Sequence, residues 1–342
     1  MSENRANPAR IIQLATGYWD SATLLAANEL EIFGALADAP QTAGQIAATK
    51  TLDVRAAAML LDACAGLGLL TKNLTSAEPT YANTPESGAF LVPGRPGYLG
   101  GAIAWGADQY QAWGGLAQSV REGKPSVAPE LHLGGNPDET RRFVLGMRDR
   151  AMGVARPLIQ FLDFEGAENL LDVGGGPGTY AVLLAQKYPK LNAVVLDLPP
   201  IVAIAAELIA EAGMAERVKV RPGNAITNDY GAAEFDAVLF SGVLHQMSPA
   251  TIQALFAKAK RALKPGGKIV VSDVMLNEDK TRPAFAALFS LQMLLASAEG
   301  AVFSSAECSA WLEAAGLTDA IARPLPPPLP YIIVEAKRSE NS

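Results

Sequence analysis

A glycine-rich segment, Gly174-Gly175-Gly176-Pro177-Gly178, follows the mostly apolar run 170–173 directly and precedes a helix-like segment at 180–187. Glycine lets the backbone approach a bound molecule closely, and the free N–H groups at the start of a helix attract negatively polarised atoms. A strand, a glycine turn and a helix in this order are typical of nucleotide-binding α/β sheets, in which ligands lie at the carboxyl ends of the strands. The segment therefore predicts a sheet domain that binds a nucleotide-like ligand.

Two departures from the dinucleotide pattern and two carboxylates narrow the identity of that ligand. The fingerprint Gly-x-Gly-x-x-Gly would need glycine at Thr179 and would place Pro177 inside the phosphate turn, so NAD is disfavoured. Asp172 precedes the glycine segment, and Asp197 ends the next predicted strand. Carboxylates at one sheet edge suit a ligand with an amino group and a ribose but no phosphate, because a carboxylate can accept both ribose hydroxyls. Taken alone, Asp197 would equally suit the N-cap of a helix that starts at Pro199.

Strand-like and helix-like segments alternate from Gly166 onward. A proline-rich run at 323–330 would join the last two strands, of which the final one is 331–337. This alternation predicts an α/β fold, with a parallel sheet covered by helices on both faces. The predicted strands are 169–173, 193–196, 218–220, 237–240 and 269–274, and the predicted helices are 180–187, 201–212 and 249–263.

The first hundred residues have a mainly helical pattern instead. Apolar residues at helical spacing over 11–36, interrupted near 28–31, predict two short helices. Thr42 and Asp53 are typical N-cap residues, and Asp53 would begin a stronger helix at 54–67. The residues that we expect to share one face of that helix are Met59, Leu60, Ala63 and Cys64.

A hairpin pattern at 69–72 and 80–82 follows these helices, so the segment predicts a winged-helix-like domain. Winged helices often bind DNA, but the helix at 54–67 carries one basic residue, Arg55, beside Asp53 and Asp62. Reading bases in the major groove needs several Arg, Lys, Asn or Gln side chains. The Ala- and Leu-rich first helices favour a dimerisation or scaffold role.

Composition and charge argue against other classes of protein. The 342-residue chain has a formal net charge of −7 and a pI near 5.1, so it lacks the basic face that nucleic-acid phosphates require. Its two cysteines, Cys64 and Cys308, provide neither a disulfide framework nor a zinc site, which favours a reducing compartment. The apolar stretch 284–298 is too short and too polar to span a membrane, and residues 1–10 lack a signal-peptide core. We expect a soluble cytoplasmic protein in which 284–298 is a buried helix.

Four motifs stand at the predicted strand ends: Asp-Val-Gly-Gly-Gly-Pro-Gly at 172–178, Asp-Leu-Pro at 197–199, Gly223-Asn224, and Lys-Pro-Gly-Gly at 264–267. Together they resemble the class I S-adenosylmethionine (SAM)-dependent small-molecule O-methyltransferases, which include plant phenolic and bacterial antibiotic enzymes. The resemblance covers almost the whole chain. It implies a Rossmann-like sheet, mostly parallel with an antiparallel last strand, SAM as methyl donor, and a homodimer. The implied domains are a winged-helix-like dimerisation domain (1–100), a helical linker that contributes to the substrate pocket (101–164) and a SAM-binding domain (165–342).

The resemblance implies that the cofactor lies along the carboxyl edge of the sheet. Asn224 replaces the aspartate of the family, and its amide could still hydrogen-bond the adenine end. The cofactor-binding residues implied by the resemblance are Asp172, Gly174, Gly176, Asp197, Leu198, Asn224, Ala225 and Ser241.

The same resemblance puts the catalytic base at His245, after the fourth strand of the domain, with Asp273 as a carboxylate that flanks it. Imidazole can remove the proton of a phenol or alcohol near neutral pH, which makes the oxygen a better nucleophile toward a sulfonium methyl group. A positioning role for His245 is the alternative. The other histidine, His132, lies in a predicted loop, where a surface or packing role is favoured. No Asp, Glu and His cluster has metal-ligand spacing, so we expect no metal.

Two departures from the family pattern leave the acceptor atom open. The family continues His-Asp-Trp where this chain has His245-Gln246-Met247, and Val302 aligns with the second flanking acid. An acceptor that is already nucleophilic needs less base assistance, so transfer to sulfur, nitrogen or carbon of a small acid, thiol or thioether stays an alternative. A non-catalytic SAM-binding regulator is a further alternative, motivated by the winged-helix pattern.

Substrate contacts are implied on two predicted helices. The family pattern Phe-x-x-Gly-Met appears within the predicted helix 137–161, which Asn136 would cap. Methionine adapts to flat or irregular acceptors, although it is also common in an ordinary core. Arg148 and Arg150 follow this pattern and could attract a carboxylate of substrate or cofactor, or could lie on a solvated face. The implied substrate-binding residues are Phe143, Met147, Met293 and Ser297.

Overall fold

A computed structural model of the protein describes residues 6–128, 133–327 and 329–340. The chain divides into two compact units, of which the first ends at Asp108 and the second begins at Gln109. The division at residues 100 and 164 stays a prediction.

The first unit is mainly helical and contains one small antiparallel sheet. Its helices are α1 (Ala9–Thr16), α2 (Tyr18–Glu29), α3 (Ile32–Ala35), α4 (Ala43–Lys50), α5 (Val54–Gly66) and α6 (Pro85–Phe90), and α7 (Gly100–Gly114) follows them. Its strands β1 (Gln41–Thr42), β2 (Leu70–Asn73) and β3 (Thr80–Asn83) lie in the order β1-β3-β2. The predicted hairpin is therefore confirmed, and it gains a third strand.

The two N-caps predicted in the first unit are confirmed. The Thr42 hydroxyl accepts the backbone N–H of Gln45, whose side chain accepts the N–H of Thr42 in return, and Asp53 Oδ1 accepts the N–H of Ala56 at 2.8 Å. The prediction of two helices over 11–36 is wrong, because three form there. The first helix ends at Gly17, where the second begins. The third, α3, begins after Glu31, whose left-handed backbone (φ of 53°) separates it from α2.

The buried face of α5 differs from the predicted one. Ala57, Leu61 and Cys64 are buried, whereas Met59 is 60% exposed and Ala63 is exposed as well. Small or apolar residues occupy most positions around this helix, so helical spacing alone fits more than one face. The face is selected by the sheet and the neighbouring helices, which a local pattern does not contain.

The second unit begins with helices and continues as a seven-stranded sheet. Its strands lie in the order β6-β5-β4-β7-β8-β10-β9. The five strands from β6 to β8 are parallel, and β10 is antiparallel to both of its neighbours, as predicted. The strands are β4 (Asn169–Val173), β5 (Asn192–Asp197), β6 (Val218–Pro222), β7 (Phe235–Ser241), β8 (Leu263–Asp273), β9 (Thr318–Pro324) and β10 (Ile332–Lys337). The helices are α8 (Leu116–Glu122), α9 (Pro137–Leu158), α10 (Thr179–Lys187), α11 (Pro199–Glu211), α12 (Pro249–Ala262), α13 (Ala284–Ala296) and α14 (Ser305–Ala314).

Both faces of this sheet are covered by apolar side chains. Leu171 of β4 belongs to a cluster with Phe240 and Phe256 on one face, and Leu170 belongs to a cluster with Leu184 and Val195 on the other. Strands that are buried on both faces have nearly continuous apolar sequences, which explains the mostly apolar run at 170–173.

The expectation that 284–298 is a buried helix is confirmed only in part. α13 forms there, but Phe285 is 48% and Leu288 is 55% exposed. Phe289 and Met293 of α13 pack into an apolar cluster, while Phe285, in the first turn of the helix, and Leu288 are largely uncovered by the described part of the chain. None of the described helices has the length and apolar character needed to cross a membrane.

Candidate active site

The glycine segment forms a tight turn between β4 and α10. Gly174, Gly176 and Gly178 have φ angles of 66°, 54° and 74°, a region that other residues adopt only with strain. A Cβ atom on Gly174 would lie 2.5 Å from Val243, whereas a Cβ atom on Gly176 would meet nothing within 4 Å. Close packing therefore fixes the turn on the Gly174 side, and its Gly176 side faces open space.

Asp172 lies beneath this turn in an unusual environment. Its side chain is 1% exposed, and neither carboxylate oxygen accepts a hydrogen bond from the described residues. Burial, and to a smaller extent the nearby Asp197, raise the pKa of Asp172 to about 7, and the nearby backbone N–H of Ala181, which does not reach hydrogen-bond geometry, opposes that rise only slightly. A buried carboxylate without donors is unfavourable, and a ligand that brings a cationic or N–H donor would relieve that cost.

Asp197 connects the end of β5 to the glycine turn. Its Oδ2 accepts the N–H of Gly176 at 2.8 Å, and its Oδ1 accepts the N–H of Leu198 at 2.7 Å. Burial raises its pKa, and these two hydrogen bonds oppose that rise. The alternative of a helix N-cap is wrong, because α11 begins after Leu198 and has no side-chain cap.

The remaining predicted cofactor residues lie at the ends of neighbouring strands. Parallel pairing aligns Val173 with Leu196 and Phe240, and Asp197 with Pro222, so the loops after β4, β5, β6 and β7 share one edge of the sheet. Asn224 Oδ1 accepts the N–H of Ile226 at 2.8 Å, which occupies that oxygen in a local turn. The Ala225 carbonyl accepts a hydrogen bond from the Tyr230 hydroxyl. Ser241 is the last residue of β7 and pairs with Ser272 of β8.

His245 and Asp273 form a close pair, as the sequence predicted. His245 lies in a short 3-10 turn, Leu244–Gln246, after β7, and Asp273 ends the adjacent β8. His245 Nδ1 and Asp273 Oδ1 are 2.7 Å apart, and the two side chains are 11% and 5% exposed. A carboxylate only accepts hydrogen bonds, so Nδ1–H donates and Nε2 is left free to take a proton. His132 lies outside the described residues.

An aromatic residue that the sequence analysis missed packs against this pair. The ring of Phe289 on α13 meets the ring of His245 nearly edge-on, with centroids 4.8 Å apart. Phe285 stacks in parallel on Phe289 at 6.1 Å, and the guanidinium carbon of Arg150 lies 5.3 Å from the Phe289 centroid. The spacing of Phe285, Phe289 and Met293, four residues apart, indicates one helix face but not the partner that it contacts.

The predicted substrate residues separate into two groups. Phe143 packs with Leu198 against the cluster around Ile201, and Met147 lies one helical turn further along α9. Met293 is buried beside Phe289 on the His245 side. The Ser297 hydroxyl donates to the carbonyl of Gln246 at 3.0 Å and accepts the N–H of Gly300 at 3.1 Å, so it supports the His245 turn.

The position of the second family acid is apolar. Val302 is 3% exposed and packs with Phe289 and Met293. Within the described ranges, no group of three or more His, Cys, Asp or Glu side chains could hold a metal ion.

Comparisons with known proteins show which family this chain resembles. The family model of the O-methyltransferase domain matches residues 113–318, and that of the O-methyltransferase dimerisation domain matches residues 12–93. The chain is 34% identical to a 3-hydroxy-5-methyl-1-naphthoate 3-O-methyltransferase of Streptomyces sahachiroi, over 91% of this chain and 90% of the relative. It is 31% identical to the N,N-dimethyltransferase OxyT of Streptomyces rimosus, over 81% of each.

Among solved structures, human N-acetylserotonin methyltransferase in complex with SAM matches with a TM-score of 0.89 and 25% identity. The match covers 99% of this chain and 100% of that one, so the fold predicted from the strand-end motifs is confirmed.

Proposed function

The chain belongs to the family of SAM-dependent small-molecule O-methyltransferases, and we propose that it methylates a hydroxyl oxygen with His245 as the general base. The observation that carries the proposal is the His245–Asp273 pair, 2.7 Å apart, beside the edge that carries the glycine turn. A histidine oriented by a carboxylate is a common arrangement for removing a proton from a hydroxyl group.

The residues of the sheet edge fit SAM. Asp172 has two buried oxygens without donors, which suits an ammonium group, and the open side of Gly176 leaves room for a ligand against the turn. We assign to cofactor binding the positions named above: Asp172, Gly174, Gly176, Asp197, Leu198, Asn224, Ala225 and Ser241. When bound, SAM supplies a methyl group on a sulfonium sulfur, which leaves as the thioether of S-adenosylhomocysteine.

His245 provides the proton acceptor for the reaction. Asp273 accepts the Nδ1–H, which favours the neutral tautomer whose free lone pair is on Nε2. Nε2 takes the hydroxyl proton of the acceptor as its oxygen bonds to the methyl carbon, and Asp273 stabilises the imidazolium that results. Because this pair supplies the base, we propose a reaction without a metal.

Acceptor contacts are assigned to two elements. Met293 packs beside Phe289, and Ser297 donates to the carbonyl of Gln246, so both lie close to His245. Phe143 and Met147 lie on α9. We propose that a flat aromatic acceptor lies between these surfaces, because soft methionine and aromatic walls conform to such molecules.

We propose that the protein is a homodimer formed through its first unit. The dimerisation family model covers residues 12–93, and the beginning of that unit exposes large apolar side chains. Exposed apolar patches of this kind are typical of association surfaces. These side chains are Ile11, Ile12, Leu14, Tyr18 and Trp19. The winged-helix-like character, the cytoplasmic location and the absence of a nucleic-acid partner stay predictions.

A substitution of His245 tests the base directly. We expect His245→Ala to lower kcat about 10²- to 10⁴-fold with a hydroxyl acceptor, and to leave the affinity for S-adenosylhomocysteine unchanged by calorimetry. His132→Ala removes the other histidine of the chain and is the matched control. Retention of most of the turnover number by His245→Ala would contradict the proposal.

Transfer to an amine nitrogen is the second candidate. It is favoured by the similarity to OxyT, an N,N-dimethyltransferase, and by the apolar Val302 at the position of the second acid. A neutral amine is nucleophilic without proton removal, so amine methylation that survives His245→Ala would support this function over transfer to oxygen.

A further inference from the structure

Arg150 of α9 has a partly buried guanidinium without an anionic partner. It makes no ion pair or hydrogen bond with the residues that the structure describes. Its neighbour Arg148 differs, because both Nε and Nη2 of Arg148 donate to Asp149 Oδ1 at 3.1 Å. The same short segment therefore contains one neutralised guanidinium and one that is not neutralised.

The position of Arg150 connects it to the candidate active site. Its guanidinium carbon lies 5.3 Å from the centroid of Phe289, whose ring contacts the ring of His245. Arg150 also interacts electrostatically with Tyr180, in the first turn of α10 after the glycine segment. Burial and Tyr331 raise the pKa of the Tyr180 phenol, and the positive charge of Arg150 opposes that rise. Arg150 thus stacks on the aromatic wall beside the base, and its charge acts on the helix that follows the glycine turn.

The stacking leaves Arg150 prepared to bind an anion. When a guanidinium stacks on an aromatic ring, the flat face of the guanidinium contacts the ring. The N–H groups around the edge of the guanidinium then remain available as donors. Those donors match a carboxylate, which can accept two parallel hydrogen bonds. In a chain of net charge −7, a partly buried cation that pairs with no carboxylate among the described residues indicates an anion from outside the chain.

We propose that Arg150 binds a carboxylate carried by the aromatic acceptor and so selects acidic acceptors over neutral ones. The proposal deepens the proposed function and rests on it. The carboxylate would lie at the Phe289 end of the pocket, so it would orient the acceptor with its hydroxyl toward His245. The alternative source of the same chemistry is the methionine carboxylate of SAM, reached from the Tyr180 side.

A matched pair of acceptors tests the proposal. The probes are 3-hydroxy-1-naphthoate and its neutral carboxamide, and both are titrated by calorimetry into protein saturated with S-adenosylhomocysteine. The rate of S-adenosylhomocysteine formation from SAM is measured separately with each probe. The variants are Arg150→Gln, Arg150→Lys, which keeps a cation, and the control Arg156→Gln, which removes an exposed charge from the same helix.

We expect the unaltered protein to bind the carboxylate at least tenfold more tightly than the amide, as a charge-assisted hydrogen bond would give. Arg150→Gln should abolish that ratio, Arg150→Lys should keep part of it, and Arg156→Gln should keep all of it. An unchanged ratio in Arg150→Gln overturns the proposal, as does failure of the unaltered protein to bind the carboxylate.

Other outcomes separate the remaining explanations. If Arg150→Gln weakens S-adenosylhomocysteine binding tenfold or more and leaves the acceptor ratio unchanged, the guanidinium holds the cofactor and the proposal is overturned. If the ratio depends on Arg150 but neither probe is methylated, the anion site is supported while methylation of this acceptor class fails.

Discussion

Replacing Asp172 by asparagine should stabilise the ligand-free protein while it weakens cofactor binding. The pKa of Asp172 is raised from 3.8 to about 7, so the folded protein holds this proton over a pH range in which the unfolded chain releases it. The free energy of unfolding therefore falls as the pH rises from about 4 to about 7 and levels off above that range. At pH 9 this shift of three pKa units lowers the free energy of unfolding by about 4 kcal/mol. At pH 5.5 the reduction is about 2 kcal/mol, because folded Asp172 is still protonated there.

Urea unfolding of the ligand-free protein at pH 5.5 and pH 9 measures this difference. The unfolding free energy of Asp172→Asn should exceed that of the unaltered protein by about 2 kcal/mol more at pH 9 than at pH 5.5. Asp319→Asn, at an exposed position of β9 with a φ of 56° that asparagine tolerates, is the control and should show no such growth.

Calorimetry supplies the second half of the test. Asp172→Asn should bind SAM about 10- to 100-fold more weakly at pH 8, since a charge-assisted contact is lost. A stability difference that does not change with pH would refute the assignment of Asp172 as a buried, unpaired carboxyl group. An unchanged affinity for SAM would refute its role toward the ligand.

Three further predictions concern single residues of the site. Gly176→Ala and Gly213→Ala should each destabilise the protein by about 1 kcal/mol, because both glycines have positive φ and an open Cβ position. Only Gly176→Ala should lose affinity for SAM in a titration. Asp273→Asn should lower kcat at least tenfold with little change in the KM for SAM, since the acceptor at Nδ1 loses the negative charge that stabilises the imidazolium; equal losses in kcat and SAM affinity would contradict a positioning role. Ser297→Ala should lower the unfolding free energy by about 1–2 kcal/mol in urea, because the hydroxyl joins the Gln246 carbonyl to the following loop, and an unchanged midpoint would argue against that support.

The parts of the fold that the sequence predicted correctly are set by short-range patterns. The strand 169–173, the glycine turn and the alternation of strands with helices follow from apolar runs and glycine spacing, which need no knowledge of distant contacts. The caps Thr42 and Asp53 satisfy backbone N–H groups within three residues, so they too can be predicted locally.

The parts that the sequence did not predict depend on which surfaces meet. Phe289 reaches His245 only because α13 packs beside the turn after β7, and nothing in the pattern of α13 specifies that neighbour. The hydrogen bond from Gly176 to Asp197 likewise joins two loops. Both errors of helix burial, at Met59 and Leu288, occur on helices that are apolar over most of their circumference.

The destination of the transferred methyl group tests the central claim most directly. SAM labelled with ¹³C in its methyl group is incubated with a panel of phenols, aromatic acids, amines and thiols, and the products are examined by NMR with the unaltered protein and with His245→Ala. We predict a labelled methyl carbon bonded to oxygen, formed at least a hundredfold more slowly by His245→Ala. A label on nitrogen, sulfur or carbon, or an oxygen-bound label formed at nearly the same rate without His245, would contradict base-assisted O-methylation.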